Sequence, residues 1–240
     1  MADYRSRVLV LQHAEHEHLG RFVPALERRF VGYTNVRCDL GDVVPTALDA
    51  FDGLIVLGGP QSVYEEDRYP YLHTEKDLVR HALATNVPVF GICLGSQIIA
   101  DVLGARVYPG RTFELGWKEV SLCPGIGDDK VVGVLPRNFT PLHWHGDVFD
   151  LPQDAIAIGS SALTQSQGFV WKRRAWGLLF HLEFTMEQLT AMAAEFPQDL
   201  RRANITPEDL LNGASEYLRA LLQPSQQVFE NWIDHLRVHC

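Results

Sequence analysis

The chain has 240 residues, 46% of them apolar, and a formal charge of −9. That length and apolar content suffice for one substantial core, and the acidic balance excludes a nonspecific grip on nucleic acid, which needs a basic patch to meet phosphates. No apolar run approaches the roughly 20 residues of a spanning helix and no charged-then-apolar leader follows Met1, so a cytoplasmic protein away from membranes is expected.

In chain order, apolar β-rich runs at 8–11, 36–40, 54–57 and 87–92 alternate with helical patterns at 19–30 and 74–84. Such alternation predicts an α/β fold, an open and mostly parallel sheet with helices on both faces. Between 106 and 161 the runs shorten and turns multiply, which predicts antiparallel strands at one edge. After Thr185 the texture becomes helical, with one pattern at 186–196, a threonine-capped start at Thr206-Pro-Glu-Asp209, and apolar stripes through Leu210, Leu218 and Leu221 and through Val228, Trp232 and Leu236. The expected organisation is a catalytic unit over 1–185 and a helical extension over 186–240 packed on it.

Three segments carry chemistry. Val89-Phe-Gly-Ile-Cys-Leu-Gly-Ser-Gln97 passes from a strand pattern into a helix pattern at a Gly-x-Cys-x-Gly corner, a geometry that exposes a nucleophile. The positive end of the following helix is expected to favour the thiolate of Cys93. Trp176-Gly-Leu-Leu-Phe-His-Leu-Glu183 places His181 and Glu183 two apart, so in an extended chain they share a face and the carboxylate can orient the imidazole. Leu54-Ile-Val-Leu-Gly-Gly-Pro60 ends a buried-strand pattern in two glycines, whose backbone can approach a substrate carbonyl. The N–H groups of Gly59 and of Leu94 are the natural oxyanion donors. In an open parallel sheet the ligand crevice lies at the carboxyl ends of the strands, where all three segments fall.

Taken together these segments resemble class I glutamine amidotransferases, the triad-type glutaminases. Gly58-Gly-Pro-Gln-Ser-Val-Tyr64, Gly91-Ile-Cys-Leu-Gly-Ser-Gln97 and Phe180-His-Leu-Glu183 appear in family order. Glu114-Leu-Gly-Trp117 and Trp144-His-Gly-Asp-Val-Phe-Asp-Leu-Pro152 are similar to the subgroup containing the glutaminase domain of GMP synthase. Leu182 stands where the frequent family spelling has proline. The resemblance covers about residues 7–185 and implies a flavodoxin-like sheet. It also implies cleavage of the γ-carboxamide of glutamine through a thioester on Cys93, with His181 as acid and base and Glu183 as its partner. Gly58, Gln97, His145, Gly146 and Asp147 would bind the substrate, and Tyr64 with residues 65–67 either closes over the pocket or forms a solvated loop.

No cofactor is called for. Cys38, Cys93, Cys123 and Cys240 lack Cys-x-x-Cys spacing, so neither metal site nor disulfide framework is expected. His13, His16 and His18 match no common zinc spacing and are read as a solvated helix start, and His143 and His145 as crevice residues. The chain has neither a phosphate-cradling Lys-Ser/Thr loop nor room for an acceptor domain, so ammonia would pass to a separate synthase or hydrolysis is the reaction itself. The same triad would equally serve a γ-glutamyl peptidase. A metabolite-binding regulator without catalysis is a third reading, against which the intact Cys93, His181 and Glu183 argue.

Overall fold

The structure, a computed structural model, describes residues 4–236. Its centre is a seven-stranded sheet. The strands are β1 (Ser6–Gln12), β2 (Val31–Arg37), β3 (Gly53–Val56), β4 (Val89–Ile92), β9 (Ala155–Ala157), β11 (Gly168–Trp171) and β12 (Ala175–Leu178), in the order β2-β1-β3-β4-β12-β11-β9. The first five in that order are parallel; β11 runs antiparallel to β12, and β9 to β11. Every residue of β3, β4 and β12 is buried, which is why these segments read as continuous apolar runs instead of alternating ones.

Alternate residues of the central strands feed two cores. Val8, Val10, Ile55, Phe90 and Ile92 face one layer, which holds α1 (Val23–Arg28) and α8 (Leu222–Ile233); Leu9, Leu11, Leu54, Val56 and Val89 face the other, which holds α2 (Tyr71–Ala84) and α3 (Leu94–Val102). The period of two along a strand thus sets which helix covers which face. This is the open, flavodoxin-like arrangement expected from the sequence.

Two expectations need adjustment. The strand expected at 36–40 is β2, which starts earlier and ends at Arg37 because its partner strand β1 ends opposite it at Gln12; Cys38–Leu40 then form a 3-10 turn closed by Gly41 at φ +84°. The antiparallel strands are not confined to the sheet edge. Beyond β9 and β11, β5 (Val107–Trp117) pairs with β8 (Leu142–Phe149), and β6 (Val120–Leu122) lies between β7 (Asn138–Phe139) and β10 (Gly159–Ser160) in a separate small sheet.

The C-terminal helices are α4 (Met186–Glu195), α5 (Pro197–Arg202), α6 (Pro207–Leu211), α7 (Ala214–Ala220) and α8. Thr185 and Thr206 open α4 and α6 with capping boxes to Gln188 and Asp209, so orphan N–H groups at both starts are satisfied. Helix α8 locks onto the sheet through stacked aromatics. Phe229 lies 4.2 Å from Phe22 at an interplanar angle of 3°, and both meet Phe90 of β4 edge-on. Leu115, Trp144, Leu189, Met192 and Leu210 form a third core between β5, β8 and the helices.

Phe229 is fully buried and packs against aromatics from two other elements, so its removal leaves a cavity that the sheet cannot collapse to fill. Phe229→Ala should lower the unfolding free energy by about 3–5 kcal/mol, read as a reduced midpoint in urea with an unchanged slope.

Candidate active site

Strand β4 ends at Ile92 and α3 begins at Leu94, leaving Cys93 alone to make the corner. Its backbone sits at φ +49°, ψ −109°, a conformation disfavoured for any residue with a side chain and of the kind stored at functional sites. The glycines on either side permit it. A Cβ on Gly95 would lie 1.9 Å from the carbonyl oxygen of Val56, and one on Gly91 would lie 2.6 Å from the Gly95 backbone, so α3 can approach β3 and β4 this closely only without side chains there. The corner is held by Ser96, whose hydroxyl donates to the Cys93 carbonyl at 2.7 Å.

His181 and Glu183 lie just past the end of β12, where the main chain of His181 donates to Leu142 of β8 at 2.9 Å. Nδ1 of His181 and Oε1 of Glu183 are 2.6 Å apart, and the second carboxylate oxygen accepts from the Leu182 N–H at 3.0 Å. Both side chains are buried. Nε2 of His181 is also buried and makes no hydrogen bond among the described residues, while the imidazole as a whole interacts with Cys93. Burial opposes a charge on His181, but Glu183 and Cys93 together carry its pKa well above the usual imidazole range. Burial pushes the Cys93 thiol up, and the nearby His181 works against that rise. The thiol meanwhile points to the Trp144 carbonyl at 3.6 Å.

Gly59 and Leu94 are the two residues expected to donate their N–H groups. Neither finds a protein acceptor among the described residues, and a Cβ on Gly59 would lie 3.0 Å from the side chain of Leu94. Gly59 and Cys93 border a cleft of about 270 Å³, whose lining also includes Gln97, His145, Gly146 and Asp147 but not Leu94. Gln97 and Asp147 tie segments together: Gln97 donates to the Asp147 carbonyl at 3.2 Å, and the Asp147 carboxylate accepts from Ser62 at 2.8 Å. The His145 ring turns inward, its Nε2 3.5 Å from Glu114, and burial with the neighbouring His143 and His181 drives its pKa well below the usual range. His143 lies behind it, off the cleft wall, with burial lowering its pKa to about 4. Gly58 also stands behind the lining, its Cα against the carboxylate of Glu17. Tyr64 and residues 65–67 lie outside the cleft, where the Glu65 carboxylate accepts from the Ser62 N–H at 2.8 Å.

Several residues here carry no local sequence signal. His13 and Glu17 belong to no solvated helix: they lie in the loop after β1 and are 1% and 6% exposed, while His18 alone of the three histidines is exposed. Glu17 borders the cleft beside Cys93, and burial raises its carboxyl from an ordinary 4.5 to about 7, with His181 opposing the rise. The far wall comes from the C-terminal helices through Met192, Phe196, Asp199 and Arg202; Asp199 accepts from the indole of Trp144 at 2.9 Å. Two buried clusters bring three metal-ligating atoms within 4.8 Å of one another: His13 with Cys38 and Glu75, and Glu114 with His143 and His145. Glu75 and Glu114 are already hydrogen-bonded within the protein, the first to His13 and Cys38, the second to Thr164 and Gln167. Cys240 lies outside the described residues.

An α/β sheet with a cysteine at the strand-to-helix corner, facing a histidine backed by a carboxylate, narrows the protein to a class of thiol-bearing domains. Residues 22–197 match the family described as Glutamine amidotransferase class-I, and the chain belongs to that family. It is 30% identical over 200 residues to the glutamine amidotransferase-like protein YfeJ of Salmonella typhimurium, covering 82% of this chain and 84% of that one. With one of the subunits of the glutamine-hydrolysing GMP synthase of Thermoplasma acidophilum it shares 33% identity over 144 residues, 59% of this chain and 68% of that one. A glutamine amidotransferase from Thermotoga maritima superposes with a TM-score of 0.88 at 31% identity, over 96% of this chain and 99% of that structure. Among the described residues, no helix is long and apolar enough to cross a membrane.

Glu17 supplies a stability prediction. A carboxyl raised by burial keeps its proton more tightly in the folded chain, so its contribution is full below about pH 4.5 and is lost as pH rises through about 7. Between pH 4.5 and 8 the wild type should lose on the order of 3 kcal/mol relative to Glu17→Gln, measured by urea denaturation of both at each pH.

Proposed function

We propose that the protein hydrolyses the γ-carboxamide of glutamine to glutamate and ammonia through a γ-glutamyl thioester. The observation that carries this reading is the row formed by Glu183, His181 and Cys93, in which a 2.6 Å contact holds Nδ1 of the imidazole and leaves Nε2 for the sulfur. Cys93 loses its proton to His181, and the resulting thiolate attacks the carbonyl carbon of the γ-carboxamide. The N–H groups of Gly59 and Leu94 receive the negative charge that develops on the carbonyl oxygen, where fixed donors in a dry site act most strongly. His181 then protonates the departing nitrogen, ammonia leaves, and the neutral imidazole draws a proton from water as it attacks the thioester. Glu183 keeps the ring oriented and stabilises its charged form throughout.

The cleft supports a small amino-acid substrate by size and by its mixed lining, in which Gln97 comes from the helix after the candidate nucleophile, Gly146 and Asp147 come from β8, and Arg202 on the far wall offers a cation for a carboxylate. Likeness to a protein named as part of a glutamine-hydrolysing synthase favours delivery of ammonia to a separate synthase chain.

Incubation with glutamine should release glutamate, and Cys93→Ala should abolish that release while leaving the fold intact by circular dichroism. A glutamine-like chloroketone should modify Cys93 ahead of Cys38 and Cys123. Cys93-dependent turnover of γ-glutamyl dipeptides with none of glutamine would replace the amidase reading with a peptidase.

A further inference from the structure

His13 and Glu75 lie outside the row just described and off the surface of the cleft floor, yet they grip the loop that carries one of the two proposed oxyanion donors. The loop itself is a Gly-Gly pair, the most permissive backbone a chain can contain. Left alone, the peptide joining Gly58 to Gly59 could rotate and carry its N–H away from the sulfur. The structure shows it clamped. Nδ1 of His13 donates to the Gly58 carbonyl at 3.0 Å, and Nε2 lies 2.9 and 3.0 Å from the two oxygens of Glu75 on α2. The thiol of Cys38 donates to the same carboxylate at 2.9 Å. A Cβ on Gly59 would lie 2.5 Å from Cβ of His13, so the clamp presses on both glycines.

We propose that His13, held by Glu75, is a positioning residue that fixes the Gly58–Gly59 peptide with its N–H directed at the oxyanion position beside Cys93. A trans peptide is planar, with its carbonyl and the following N–H pointing in opposite directions, so holding one end in place aims the other. No described peptide bond is cis. Both partners of His13 are acceptors, a carbonyl on one nitrogen and a carboxylate on the other, so the ring carries both protons and the clamp is charged. Burial works against that charge, but Glu75 and the Gly58 carbonyl raise the pKa of His13 above the usual imidazole range. A buried ion pair adds little to stability compared with apolar side chains of the same volume, whereas a misaimed oxyanion donor costs rate directly.

The inference rests on the amidotransferase reading, and its test separates the two. Wild type, His13→Gln and Glu75→Gln are compared for glutamine turnover and for alkylation of Cys93 by iodoacetamide. Alkylation needs the thiolate and His181 but forms no oxyanion. The expected result for His13→Gln is a kcat lower by about 100-fold or more, with KM and the alkylation rate each within about threefold of wild type. Glu75→Gln, which keeps the shape of the side chain and removes its charge, should fall in the same direction by a smaller factor, and it stands in should His13→Gln fail to fold. A kcat within about threefold of wild type in the folded variants would overturn the proposal, as would alkylation slowed in proportion to kcat, since the damage would then lie in the Cys93–His181 pair. Absence of Cys93-dependent turnover in the wild type would remove the amidotransferase reading and the inference with it.

Discussion

Close approach of one backbone to another at the start of α3 is the constraint on which the remainder depends. Gly95 lies against the Val56 carbonyl, Gly91 lies against Gly95, and the chain between them is forced through a left-handed corner at Cys93. Had either glycine a side chain, α3 would be pushed off the sheet, and the sulfur with it. Because β3 and β4 are adjacent parallel strands, the same approach brings the Gly58-Gly59 loop beside the side chain of Leu94. The short path from β12 to His181 then lies on the far side of β4, within reach of the sulfur. Strand order and steric fit are thus enough to gather groups from three distant segments without any of them being mobile.

Electrostatics at this point follows from dehydration. Cys93, His181, Glu183 and Glu17 are all nearly inaccessible to water, so each charge is governed by its neighbours more than by solvent. Burial raises the thiol and the Glu17 carboxyl, and favourable partners raise the imidazole. The result is a set of groups whose protons are shared locally. Moving one proton from sulfur to imidazole changes the charge distribution without changing the total, which a buried site tolerates far better than gaining a charge from outside.

The parts of this arrangement that could be read from the amino-acid order are those whose partners are close in sequence. Gly-x-Cys-x-Gly announces a corner, His181 and Glu183 are two residues apart, and the glycine pair follows its own strand. The parallel sheet was legible because both faces of β3, β4 and β12 are covered, which leaves unbroken apolar runs. His13, Glu17 and Glu75 were not legible, since each becomes meaningful only when the β1 loop, the β3 loop and α2 meet. The run His13-Ala-Glu-His-Glu-His18 looks solvated by composition, yet His13, Ala14 and Glu17 are buried while Glu15 and His18 are exposed. Its one available signal was position, directly after the carboxyl end of a central strand. The far wall was hidden for the same reason: Asp199 and Arg202 resemble ordinary helix-surface charges until α5 is laid against β5 and β8.

That far wall has an evolutionary consequence. The sulfur and its partners sit at the ends of the central strands, whereas Met192, Phe196, Asp199 and Arg202 come from the C-terminal helical segment, which packs against β5 and β8. Asp199 ties that wall to the indole of Trp144, whose carbonyl meets the Cys93 thiol, so substitutions that keep this bond can reshape the cleft with the least effect on the sulfur. Sequence change in the C-terminal helices can therefore alter the shape of the cleft separately from the strand-to-helix corner that carries the sulfur.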